Sequence, residues 1–188
     1  MEPAPFYEKL SEWKRASYAF CPKCGGRLTL RRVCAHDPER MVCSACGFVF
    51  FEDPKVAVGT IIPIDGKILL TRRAIEPGYG KWVFPSGFVD RGEHTEDAAI
   101  REAKEECHVE VRITRLLNIY SYPDHPVIVI VYVAEAIGGH PATSDETLEA
   151  ELFYPDQIPW DDLAFDSTGR ALQEYLATLD RREARDIA

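Results

Sequence analysis

The sequence predicts an α+β chain, with two helices layered on a mixed sheet and a small cysteine-held ribbon in front of them. Three observations carry that prediction. Two C-x-x-C pairs, Cys21 with Cys24 and Cys43 with Cys46, are separated by 18 residues, a spacing that belongs to four-thiolate zinc sites. Beyond them, runs of β-branched residues are broken by turn signals, and only two later segments have helical composition. Strands in runs with helices set apart from them form an α+β or layered α/β/α domain. A chain of 188 residues has room for one ordinary domain of about 100 to 150 residues and a modest attachment.

Phe6, Leu10 and Trp13 stand at i, i+4 and i+7, so residues 5–16 read as a short amphipathic helix within an N-terminal segment of residues 1–17. The ribbon occupies residues 18–52: "RLTLRRVCA" is its outgoing strand, and "RMVCSACGFVFF" returns through the second knuckle. Gly25 and Gly47 follow the knuckles, where glycine takes an unusual dihedral at little cost and backbone amides can face the sulfurs. So small a unit folds only with its Zn²⁺. The competing reading, a redox dithiol, does not need a matched second pair. Cys34 and Cys107 are left over, and both are expected as inert, buried thiols.

Pro54 ends the ribbon, and residues 53–188 form the main domain. "VAVGTIIPI" opens it as a strand, and Asp65-Gly66 turns the chain into "KILLTRR". "AIEPGYGKWVFPSG", with three glycines and two prolines, reads as a loop. The helix "HTEDAAIREAKEECH" follows, with Glu96 and Asp97 in the first turn where the helix dipole favours acids. Two extended runs come next, "VEVRITRLLNIYSY" and "PVIVIVYVAEAI", then a polar loop over residues 138–146, a short strand at "ELFY" and a last helix over residues 167–185. The order is β, β, α, β, β, β, α.

Twenty-two Lys and Arg against 31 Asp and Glu leave a net charge of −9 and a pI near 5.1. That sign argues against nucleic acid as a partner, because phosphate contacts need a basic surface. No run approaches the roughly 18 apolar residues of a membrane span, and the N-terminus lacks the apolar region of a secretory signal. A soluble, cytoplasmic protein without a membrane partner is the expectation.

Glu102, Glu105 and Glu106 lie at i, i+3 and i+4 of the first long helix, so three carboxylates leave one face of it. A solvated acidic face is the plain alternative. Arg101 stands beside the cluster, and a loop with Gly87, Gly92 and Glu93 precedes it, an arrangement able to fold back over a cation. Three carboxylates and a backbone carbonyl suit Mg²⁺ or Mn²⁺, hard ions that bind through carboxylate and substrate phosphate.

At these residues the chain resembles the Nudix hydrolases. Their signature runs G, five residues, E, seven residues, R-E, an aliphatic residue, any residue, E-E, any residue, G and an aliphatic residue. Gly87, Glu93, Arg101, Glu102, Glu105, Glu106 and Val109 match it in register. Ala103 is a small substitute at the first aliphatic position, and His108 replaces the glycine that ends the family's helix. A His at positive φ costs roughly 1 kcal/mol that Gly would not.

The resemblance implies a Nudix α/β/α sandwich with a mixed sheet, and hydrolysis of the pyrophosphate of a nucleoside diphosphate derivative. By position it makes Glu102, Glu105 and Glu106, with the carbonyl of Gly87, the ligands of catalytic Mg²⁺ or Mn²⁺, and Glu93 and Arg101 the brace between loop and helix. With "DPKVAVGTII", "GKWVFPSGFV" and "ETLEAELFYPDQIPWDDLAF", the likeness covers about residues 20–180 and resembles the zinc-ribbon Nudix group, which includes plant chloroplast FAD pyrophosphatase and bacterial relatives. It implies FAD, giving FMN and AMP, or ADP-ribose, giving AMP and ribose 5-phosphate. NADH pyrophosphatases carry a Ser-Gln-Pro-Trp run where this chain has "NIYSYPDHPV", which counts against NADH as the alternative.

Related pyrophosphatases use a Glu on a late loop to assist catalysis; Glu149 is the best positional match, with Glu146 second. For the substrate, Arg72 and its neighbour Arg73 are phosphate candidates, since guanidinium matches phosphate geometry. Tyr79, Trp82 and Tyr120, with Phe84 and Tyr122, are candidates to stack on a ring. The resemblance also implies a homodimer. The contrasting class is a non-catalytic nucleotide sensor whose ribbon binds a partner, and three converging carboxylates speak against it.

Overall fold

A computed structural model describes residues 18–123 and 125–186. The helix expected over residues 5–16 lies outside them. The chain divides after Pro54 into two compact units.

In the first unit β1 (Leu28–Arg32), β2 (Glu39–Cys43) and β3 (Val49–Phe50) form an antiparallel meander. Its core is small: Cys21, Leu28 and Cys43 are buried, with Met41, Phe48 and Phe50 packed against them. Gly25 and Gly47 both take positive φ, 72° and 70°. The four knuckle thiols converge, with Sγ separations of 3.8 Å (Cys21 to Cys46), 3.5 Å (Cys24 to Cys43) and 3.3 Å (Cys24 to Cys46). Tetrahedral thiolates about 2.3 Å from zinc stand about 3.8 Å from one another, so this set fits Zn²⁺. The N–H of Cys46, then that of Ala45, holds the Cys43 thiol down to about 6 against the penalty of burial. One expectation is corrected here. Cys34 is exposed, because β1 pairs with β2 only as far as Arg32 and Glu39 and the connecting turn has no core behind it.

The second unit holds two sheets. One has the order β8 (Ser86–Phe88), β4 (Lys55–Ile61), β10 (Val127–Gly139), β9 (Val109–Tyr120), with β4 and β10 parallel and the other pairs antiparallel. The other runs β11 (Thr147–Phe153), β6 (Lys67–Arg73), β5 (Pro63–Ile64), with β7 (Trp82–Val83) also pairing β6. Asp65 and Gly66 both have positive φ, 50° and 77°, and close the β5–β6 hairpin as their sequence predicts. The segment read as a loop contains β7 and β8. Strands of two and three residues between prolines and glycines leave no periodic pattern to detect.

Helices α1 (Thr95–Cys107) and α2 (Asp166–Asp186) cover opposite faces of this frame. Ile62 and Leu69 pack with Ala103 and Cys107 of α1, whereas Ile61, Ile68 and Leu70 pack with Leu172 and Tyr175 of α2. Both faces of β4 and β6 are therefore buried, giving an α/β/α arrangement. α1 ends as its sequence requires: His108 sits in the left-handed region at φ 57°, its N–H bonding to the carbonyls of Ala103 and Lys104 and its Nε2 3.0 Å from Thr143 O. Among the described residues, no helix is long and apolar enough to cross a membrane.

Candidate active site

The site forms where β8 delivers a loop onto α1. Thr60 of β4 donates its hydroxyl to the carbonyl of Ala99, which ties the helix to the sheet at 3.3 Å. Gly87 pairs with Val58 across β8 and β4, and a Cβ on it would coincide with the carboxylate of Glu102. The glycine is thus needed for close approach of a carboxylate to a strand backbone.

Arg101 organises the rest. Its Nε and Nη2 donate to the two oxygens of Glu93, at 2.9 and 3.0 Å, and Nη2 also reaches the carbonyl of Phe88 at 3.1 Å. Its Nη1 donates to Glu102 at 2.7 Å and Glu105 at 3.0 Å. Glu93 further accepts the N–H of Asp90 at 3.0 Å. The Arg101 guanidinium, then that N–H, holds the Glu93 carboxyl down to about 2. One planar fork therefore locks the loop onto the helix and aligns two of its three glutamates.

Glu106 is different. It is 5% exposed and accepts the N–H of Ser86 at 2.9 Å, with no cation bonded to it. Burial pushes its carboxyl up to about 8; the Ser86 N–H opposes, and the charges of Glu102 and Glu146 add to the rise. Glu102 moves in the same direction, first through burial, with Arg101 opposing. Two buried neighbouring carboxylates short of positive charge, beside an exposed third, make a set of hard oxygen donors suited to Mg²⁺ or Mn²⁺. As placed, Arg101 and the Ser86 N–H hold these glutamates. Among the described residues only the four cysteines gather three or more ligand atoms within 4.8 Å.

The remaining sequence candidates fall elsewhere. Arg72 donates to Glu149 at 2.6 Å and to the carbonyl of Gly80 at 2.8 Å, so these two candidates are engaged with each other. Tyr79 is 60% exposed. Trp82 is buried edge-on against Phe153, and Tyr120 is buried with its hydroxyl donating to Glu174 at 2.8 Å, so both serve the core. Of the late-loop glutamates, Glu146 is the one whose charge acts on Glu102, Glu106 and Arg73. Ser86 carries no sequence signal of its role, because it acts through its backbone.

A family model described as NUDIX domain matches residues 53–174, and a Nudix N-terminal zinc-ribbon model matches residues 19–52. The chain belongs to the Nudix family. Among curated relatives, an ADP-ribose pyrophosphatase of Methanocaldococcus jannaschii is 40% identical over 127 residues, 65% of this chain and 73% of the relative. The NAD-capped RNA hydrolase NudC of Pseudomonas aeruginosa is 27% identical over 158 residues, 82% of this chain; the chain spans 54% of that protein's length. Among solved structures, a NUDIX hydrolase from Nitrosomonas europaea superimposes with a TM-score of 0.80 at 35% identity, covering 84% of this chain and 90% of that one. For a MutT NUDIX hydrolase from Burkholderia pseudomallei the TM-score is 0.60 at 32% identity, covering 65% and 98%. The Nudix hydrolase fold expected from the signature is thus the fold observed.

Proposed function

We propose that this Nudix chain hydrolyses the pyrophosphate bond of a nucleoside diphosphate derivative, ADP-ribose first among them, to AMP and the complementary monophosphate. The observation that supports it most is the brace in which Arg101 holds Glu93, Glu102 and Glu105 while Glu106 stays buried without a counter-charge. Glu102, Glu105 and Glu106, with the carbonyl of Gly87, would hold a divalent cation. Such a cation neutralises diphosphate charge and acidifies water.

The chain's own residues supply the rest. Arg101 and Glu93 fix the loop, so that Gly87 and the helix glutamates keep one relative position. Glu146, exposed on the loop before β11, is the carboxylate we assign to take the attacking water's proton, since its charge reaches Glu102 and Glu106 whereas Glu149 is paired with Arg72. Tyr79, the exposed ring among the aromatic candidates, is assigned to stack on a base.

ADP-ribose heads the substrates because the 40%-identical relative is an ADP-ribose pyrophosphatase. The test is incubation with ADP-ribose, NADH and FAD separately, with Mg²⁺ and then Mn²⁺, and chromatography of the products. AMP with ribose 5-phosphate is the expected outcome; three intact substrates would refute the reading.

A further inference from the structure

Arg73 is adjacent to Arg72 in sequence and on the opposite face of β6. Side chains alternate along a strand, so Arg73 shares the face of Leu69, which packs on α1, while Arg72 shares the face of Leu70, which packs on α2. Only Arg73 looks toward the helix that carries the glutamates. It is 9% exposed, and Glu106, Glu146 and Glu76 are the charges that act on it. Its Nε donates to the carbonyl of Pro77 at 2.8 Å, and its guanidinium lies 5.2 Å from the centre of the Phe165 ring. Among the described residues its two Nη groups have no hydrogen-bond acceptor.

Thr147 stands directly opposite Arg73 in the pairing of β11 with β6, and opposed residues of antiparallel strands project from the same face. Thr147 is 3% exposed, and its hydroxyl is buried with no hydrogen-bond partner. Folded proteins pair such atoms almost without exception. The neighbouring backbone is fixed, because Ala74 donates to the carbonyl of Glu146 at 2.8 Å and Thr147 to that of Ser144 at 3.2 Å. A half-paired guanidinium beside an unpaired buried hydroxyl offers donors to an acceptor with several lone pairs. A phosphate oxygen has that character, and guanidinium matches its geometry.

We propose that Arg73 and Thr147 form the subsite for a non-bridging phosphate oxygen of the substrate, next to the glutamate face of α1. The proposal rests on the pyrophosphohydrolase reading above. It replaces Arg72, whose donors are spent on Glu149 and Gly80, with a cation that faces the helix.

The test uses Arg73→Lys and Thr147→Val in the full zinc-loaded chain. Hydrolysis of ADP-ribose with Mg²⁺ is measured alongside calorimetric binding of its α,β-methylene analogue and of inorganic pyrophosphate. Arg73→Lys keeps the charge and loses the fork, so kcat/KM and the analogue's affinity are expected to fall about 10- to 100-fold. Thr147→Val removes one donor at nearly constant volume, so KM is expected to rise about 3- to 10-fold with Tm unchanged or higher. A purely structural hydroxyl would instead lower Tm and leave affinity alone. Hydrolysis with wild-type KM and analogue affinity in both variants overturns the subsite and leaves the reaction standing. A wild-type chain inert to ADP-ribose that binds pyrophosphate through Arg73 and Thr147 overturns the substrate and leaves the subsite standing.

Discussion

Replacing Gly87 by Ala puts a methyl group where the Glu102 carboxylate lies. The obstacle is the far end of a flexible side chain, so Glu102 is the part that yields and β8 stays in place. Yielding breaks the 2.7 Å bond from Arg101 in a place where Glu102 is 9% exposed. A charge-assisted hydrogen bond contributes about 1.5–3 kcal/mol. Gly87→Ala is therefore expected to destabilise the chain by about 1.5–3 kcal/mol, a fall in Tm of about 3–12 °C for a protein of this size. The decisive control is Glu102→Ala, which removes the obstacle and the bond together. In that background the added methyl is expected to cost almost nothing, leaving a coupling energy above about 1 kcal/mol. Urea unfolding of the four proteins with zinc retained and Mg²⁺ omitted reads this directly. Equal costs of Gly87→Ala in the two backgrounds would refute the close approach of strand and carboxylate.

Three further outcomes are expected. Without Mg²⁺, the folded chain keeps a proton on Glu106 between the ordinary 4.5 and about 8 that the unfolded chain has released. Its contribution is therefore fully present below pH 4.5 and is lost as pH rises through 8, by a few kcal/mol at about 1.4 per unit. Urea midpoints from pH 5 to 9 should show this slope in the wild type and lose it in Glu106→Gln; parallel profiles would contradict it. Removing zinc with a chelator should melt β1 to β3 while the second unit keeps its amide protection, because the ribbon's core holds only three buried side chains; slow hydrogen exchange persisting in β1 and β2 would sink that expectation. His108→Gly should raise Tm by about 1–3 °C, since the residue already sits at φ 57°; a fall in Tm would show that the Thr143 contact outweighs the backbone strain.

The parts that were legible in the sequence have local causes. Asp65-Gly66 announces its turn, the C-x-x-C pairs announce their site, and the 23-residue signature places Glu93, Arg101 and the three glutamates together because loop and helix are contiguous. The parts that were not legible depend on tertiary parity. Arg72 and Arg73 follow "ILL", and a strand buried on both faces shows no alternation to say which arginine looks at α1. Likewise the register shift between Thr147 and Glu149 decides that Glu149 meets Arg72 while Glu146 stays near the acidic helix. Trp82 and Tyr120 read as stacking candidates because an aromatic at a strand end looks the same whether it packs on Phe153 or opens to a ligand.

The central claim is that the buried glutamate face of α1 hydrolyses a diphosphate. The most direct measurement is single-turnover hydrolysis of ADP-ribose with Mg²⁺ by the wild-type chain and by Glu106→Gln, each shown to be folded by its unfolding transition. The account requires AMP and ribose 5-phosphate from the wild type and a rate lower by about 10³-fold or more in the variant. Near-normal turnover in a folded Glu106→Gln would contradict it.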